Sequence, residues 1–124
     1  MGMARRLAHV ALAAPFVYLG YEAAAQPGGR VDIAAHFGVP EARAADAVRL
    51  NGITMAAGGV GLATGILPRL SALALAGSMV PTTLAGHAFW EQHDPQDRIA
   101  SRIQFLKNLG LIGGLLAVAL TPPP

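Results

Sequence analysis

A chain of 124 residues makes one domain at most, and its apolar share of 53% exceeds that of a soluble protein only slightly. Charged residues make up 13%, about half the usual ~25%, and they gather near the ends of apolar stretches or between them, which fits lipid-exposed surface better than a small water-soluble core. A net charge of +2 with no Lys/Arg run and one Trp is far from the basic stripe of a nucleic-acid binder, and the lack of cysteine excludes disulfides, thiolate nucleophiles, cysteine-ligated iron–sulfur clusters and dithiol relays within the chain.

Hydropathy picks out four segments, about 7–25, 47–67, 70–90 and 99–120, each close to the ~20 residues that cross a ~30 Å hydrocarbon core. Period-2 alternation is absent, and backbone groups in lipid must pair internally, so helices are expected throughout. In the first segment Arg5 and Arg6 precede an apolar run that closes on Ala23-Ala24-Ala25, the pattern of a cleavable signal peptide. Glu22, just before that site, reads better inside a packed bundle, so the segment is expected to stay. The connection 26–46 is the longest, and residues 40–45 are expected to form a short interfacial helix. The second segment opens with Arg49 and Asn51, and its Gly61 and Gly65, four apart, suit close helix packing. Only Pro68 and Arg69 separate it from the third, which makes an antiparallel hairpin with Pro68 ending one helix and starting the next. The third segment ends in His87 and Trp90, the latter an interface anchor. On the fourth, Gln104, Lys107 and Asn108 share one face, and Gly110 and Gly114 repeat the small-residue spacing.

The expected fold is therefore an all-α, integral membrane four-helix bundle, a single domain over 1–124 with both termini on one side. That topology sorts the charges. The terminal side carries Arg5, Arg6 and Arg69 and no acid; the other side carries all seven carboxylates with the remaining cations. If Arg49, Arg102 and Lys107 are counted as membrane-embedded, the loop cations tie at three against three, and the Arg5–Arg6 pair beside the first span favours cytoplasmic termini. Ionisable groups inside a membrane usually face the bundle interior, a partner or a wet cavity. Glu22, Arg49, Asn51, His87, Trp90, Gln104, Lys107 and Asn108 all fall near the loop side. They read either as a polar pocket for a small ligand or as a salt-bridged clasp that only sets helix register. Glu22 with Lys107, or failing that Arg49, is the expected ion pair. His9 and His87 lie at opposite faces and cannot share a haem. His36, His87 and His93 share a side, but the spacing from His87 to His93 matches no helical metal pair, and no metal site is expected. No nucleophile motif, phosphate loop or dinucleotide fingerprint occurs, so no catalytic residue is assigned; Gly58-Gly59-Val60-Gly61 lies inside an apolar span and reads as packing.

Several stretches together resemble the DoxX family of small bacterial membrane proteins: His87-Ala88-Phe89-Trp90 before an acidic loop, the run from Gln104 to Leu116, Arg49-Leu50-Asn51-Gly52, and Leu67-Pro68-Arg69-Leu70. The likeness extends over nearly the whole chain, is weakest in 26–46 and most specific in the run from Phe105 to Gly114. The resemblance implies a four-helix bundle of the bacterial inner membrane, associated with quinone-linked or oxidative-stress-related oxidoreductase assemblies, with other membrane subunits or itself as partners and no covalently bound cofactor. It supplies no catalytic residues, and the chain is not expected to catalyse alone. A structural or assembly subunit that seals an interface between larger membrane proteins is the alternative. A small-solute transporter is a weaker one, since four short spans show no inverted repeat.

Overall fold

The computed structural model describes residues 2–122, and among them every regular element is helical. In chain order these are α1 (Met3–Ala25), α2 (Arg30–Phe37), α3 (Glu41–Thr64), α4 (Pro68–Gly86) and α5 (Pro95–Leu120), with one 3-10 turn at Phe89–Glu91. Two of them, α1 and α5, are long and apolar enough to cross a membrane by length and composition. The expected second and third spans fall on α3 and α4. There, Glu41, Arg43, Asp46 and Arg49 crowd the first turns of α3, and Ser71, Ser78, Thr82 and Thr83 dilute α4.

Local chemistry sets the helix ends. The Asp94 carboxylate accepts from the backbone amides of Gln96 and Asp97 at 2.8 and 3.4 Å, and Pro95 takes the first helical position, so α5 begins before its apolar run. Glu41 lies in the first turn of α3, where a carboxylate suits the helix dipole. Residues 41–45, expected as part of a separate interfacial helix, are thus the opening turns of α3. The short helix of the loop is instead α2, closed by Gly38 at φ 125°. Between α3 and α4 the chain turns at Gly65 (φ 80°) and Leu67 (φ 47°), and Pro68 opens α4. Gly65, expected in a packing motif, is the left-handed cap of α3.

The long helices pack in sequence, α1 on α3, α3 on α4 and α4 on α5, while α2 lies across α3 and α4. The closest approach joins α1 to α3. A Cβ placed on Gly20 would lie 2.6 Å from both the Gly52 carbonyl oxygen and the Ala56 amide nitrogen, and one on Gly52 would lie 2.7 Å from the Gly20 oxygen. Gly20 with Ala24 and Gly52 with Ala56 are each four apart, so two small-residue pairs interlock. By contrast, added side-chain carbons at Gly110, Gly113 and Gly114 would meet nothing within 4 Å. The core is narrow: Ala13 and Phe16 of α1, Leu62 of α3, Ala72, Leu75, Ala76 and Met79 of α4, and Leu115 of α5. Most large apolar side chains point outward on all four long helices, among them Leu7, Ile53, Leu73 and Leu109.

Candidate functional site

A cavity of about 530 Å³ opens where α2 crosses the other helices. Ile33, Ala34 and Phe37 of α2 roof it. Val48, Asn51 and Met55 of α3 and Pro81, Thr82 and Ala85 of α4 form the facing walls, with Leu19 and Ala23 of α1 completing one side. The walls are apolar because Leu19, Ile33, Phe37, Val48, Met55 and Pro81 supply much of the lining. The polar groups come from helix ends and from two positions on facing helices.

Asn51 and Thr82 are those two positions. The Asn51 Nδ2 donates to Thr82 Oγ1 at 3.0 Å and approaches Met55 Sδ at 3.6 Å, while the Thr82 hydroxyl donates to the Ser78 carbonyl at 2.9 Å. The amide hydrogens of Asn51 are thereby engaged, which leaves its Oδ1 as the acceptor a ligand can use. His87 follows directly after α4 and lines the same cavity. Its half-buried ring makes no hydrogen bond among the described residues, so a donor and an acceptor nitrogen remain for a ligand. Both ends of the α2 roof are tethered. Arg30 pairs with Glu22 at 3.6 Å and donates to the Gln26 carbonyl at 3.4 Å; at the other end His36 Nε2 meets Glu91 Oε2 at 3.0 Å.

Of the residues expected at a polar site, Asn51 and His87 line the cavity, and Glu22 reaches it through Arg30. Asn108 donates to Thr83 Oγ1 at 3.1 Å, so it joins α5 to α4 beside the cavity wall. Trp90 packs edge-on against Phe89 and Phe105, with ring centroids 5.2 and 5.7 Å away, and Arg102 lies 5.4 Å over the Phe89 ring. Arg49, Gln104 and Lys107 are exposed on the outer surface. The expected Glu22–Lys107 pair does not form, and neither does its Arg49 substitute; Glu22 takes Arg30 instead. The reason is helix order. With α3 and α4 between them, α1 and α5 do not pack side by side, so equal depth does not bring their side chains together. Among the described residues no group of three or more His, Asp or Glu is placed to hold a metal ion.

Sequence reasoning missed the α2 roof, Arg30 and the threonines of α4. The adjacent Thr82 and Thr83 in an otherwise apolar segment were the available signal: one bonds α3 and the other α5.

Residues 5–88 match the DoxX family. No curated protein and no solved structure matches the chain. The matched region holds α1 to α4 and every residue lining the cavity, including the 26–46 connection where the likeness looked weakest. The run from Phe105 to Gly114, which looked most specific, lies beyond the matched residues. Matched over more than half of its length, the chain belongs to the DoxX family of membrane proteins.

Proposed function

We propose that the four long helices cross the bacterial cytoplasmic membrane as one bundle. The chain acts there as a small subunit of a respiratory or redox-linked complex, and the cavity beneath α2 binds a quinone ring. The cavity carries this reading. At about 530 Å³ it lies within the ~300–1,000 Å³ range of small-molecule pockets, and it follows their pattern of apolar walls with a few convergent polar groups. A quinone is a flat apolar ring with two carbonyl acceptors, and its reduced form presents hydroxyl donors. An N–H of His87 suits the carbonyl, and Oδ1 of Asn51 suits a hydroxyl. Bound quinone accepts and releases electrons and protons; the residues of this chain bind and orient the ring, and the electron source belongs to a partner.

Support for four spans comes from the surface. Water-soluble monomers rarely expose contiguous apolar patches above a few hundred Å², yet Leu50, Ile53 and Val60 on α3 and Leu70, Leu73 and Val80 on α4 all point outward. Arg5, Arg6 and Arg69 at the acid-free end favour cytoplasmic chain ends. The second reading, a structural or assembly subunit, draws on α5, whose open Gly110, Gly113 and Gly114 leave room for a partner's helix.

Purification in mild detergent, extraction of bound quinone and identification of co-purifying chains test both. Quinone retained by the wild type and lost in Asn51→Leu and His87→Phe supports the first reading. Stoichiometric partners with no retained quinone transfer the case to the second.

A further inference from the structure

At the opposite end of the helices from the α2 roof lies a second cleft of about 560 Å³, between the start of α1, the start of α4 and the end of α5. From its chemistry we infer that it holds the phosphate headgroup of an anionic phospholipid.

Two cations frame it. Arg5 is half-buried on α1, and Arg69 on α4 is fixed in place because its Nε donates to the Ala119 carbonyl of α5 at 2.8 Å. That bond uses one of the five guanidinium donors and leaves both terminal amino groups for an anion. His9, about 6 Å further along α1 than Arg5, also lines the cleft. It is only 6% exposed, and its Nδ1 is buried without a hydrogen-bond partner. Because Nδ1 is closed to solvent, the ring can meet a bound anion only through Nε2, which has no protein partner among the described residues. No side chain caps the first amides of α4. The sequence has no carboxylate on α1 before Glu22, on α4, or on α5 after Asp97, so no acidic side chain in these helix segments repels an anion.

The remaining walls distinguish a lipid from a free anion. Leu70, Leu73, Leu116 and Leu120 line the cleft and continue onto outward apolar surface. Inorganic phosphate gains nothing from these side chains, whereas an acyl chain lies along them. Basic pockets between membrane helices suit acidic headgroups for the same reason. This assignment rests on the helices lying in a bilayer and is independent of the quinone reading.

Native mass spectrometry of the detergent-solubilised full chain tests it with phosphatidylglycerol, phosphatidylcholine of the same acyl chains, and inorganic phosphate. Phosphatidylglycerol is expected to bind at least ~10-fold more tightly than phosphatidylcholine, with phosphate alone not competing at equal concentration. The Arg5→Gln/Arg69→Gln variant is expected to lose that ~10-fold preference, while Arg43→Gln, a cation at the other end, keeps it. His9→Phe, which keeps the ring's volume, is expected to weaken phosphatidylglycerol more than phosphatidylcholine. Equal affinity for the two lipids in the wild type overturns the inference without recourse to any variant. So does phosphatidylglycerol selectivity that survives loss of both arginines, or phosphate binding as tightly as the lipid.

Discussion

Gly20 and Gly52 show how much a single missing carbon controls. Their backbones touch, and a Cβ at Gly20 would lie 2.6 Å from the Gly52 carbonyl oxygen and the Ala56 amide nitrogen, neither of which can rotate away. Gly20→Ala is therefore expected to destabilise the chain by about 1–3 kcal/mol, the usual cost of overpacking. Gly77→Ala, into open space on α4, is expected to be neutral or to stabilise by up to ~1 kcal/mol through helix propensity. Unfolding in detergent measures both, and equal effects would mean that α1 and α3 do not approach as closely as this. The sequence pointed to Gly61 and Gly65 because a Gly-xxx-Gly spacing is conspicuous. The pairs that interlock have alanine at one position and were hidden for that reason. Charge at the residue scale was legible in kind and not in partner. Glu22 had to find a cation, but depth along a helix says nothing about which helix lies next to it. Lys107→Ala, at an exposed position, is expected to cost no more than Arg30→Ala. Both the Glu22 and the Arg30 side chains are over a third exposed, so solvent screening keeps their pair weak. A Glu22→Gln/Arg30→Gln double-mutant cycle should give a coupling of about 0–1 kcal/mol. A larger value would mean that the pair is shielded by something bound beside it.

Whole elements were easier to find than their limits. Each of the four apolar segments falls mainly on a long helix, with 47–67 and 70–90 overrunning the ends of α3 at Thr64 and α4 at Gly86; hydropathy reports affinity for lipid, whereas a helix extends as far as its caps and backbone bonds allow. Hence α3 begins at Glu41 and α5 at Pro95, both among charged residues that a hydropathy window discards. The α2 roof was invisible for a related reason. Eight residues with one acid, one arginine and one histidine carry no span signal, and their position over the cavity depends on contacts with α3 and α4. The polar stripe of α5 is split in a way periodicity could not resolve, since Asn108 bonds α4 while Gln104 and Lys107 remain exposed. Asn108→Leu should remove the link to Thr83 and destabilise the chain by about 0.6 kcal/mol, at most ~1.7, as found for hydrogen bonds between membrane helices. Gln104→Leu should change stability little. A reversed order in detergent unfolding would place α5 in a different rotation against α4.

At the scale of the molecule, the two ends of the bundle differ in chemistry. One end holds Arg5, Arg6 and Arg69 with no carboxylate; the other holds the seven acids, the α2 roof and the quinone cavity proposed above. Arginine and lysine resist translocation while acids contribute little, so the acid-free end should remain in the cytoplasm even though the opposite end carries more cations in total. The reason lies in where those cations sit. Arg30 is held by Glu22, and Arg49, Arg102 and Lys107 fall inside the apolar segments 47–67 and 99–120, whereas Arg5 and Arg6 adjoin the first span to be inserted. The absence of cysteine makes this directly testable with single replacements. Gly2→Cys is placed just before α1 and His93→Cys in the exposed turn before α5, so neither disturbs the core. With a membrane-impermeant maleimide on cells whose outer membrane has been permeabilised, His93→Cys is expected to label readily. Gly2→Cys is expected to label only after the cytoplasmic membrane is opened. The reverse pattern would invert the bundle and move the cavity to the cytoplasmic face while leaving its construction intact. Labelling of both positions from one side would break the link between charge sorting and topology, because three crossings, α1, α3 and α4, separate Gly2 from His93 in every orientation that keeps the helices in the bilayer.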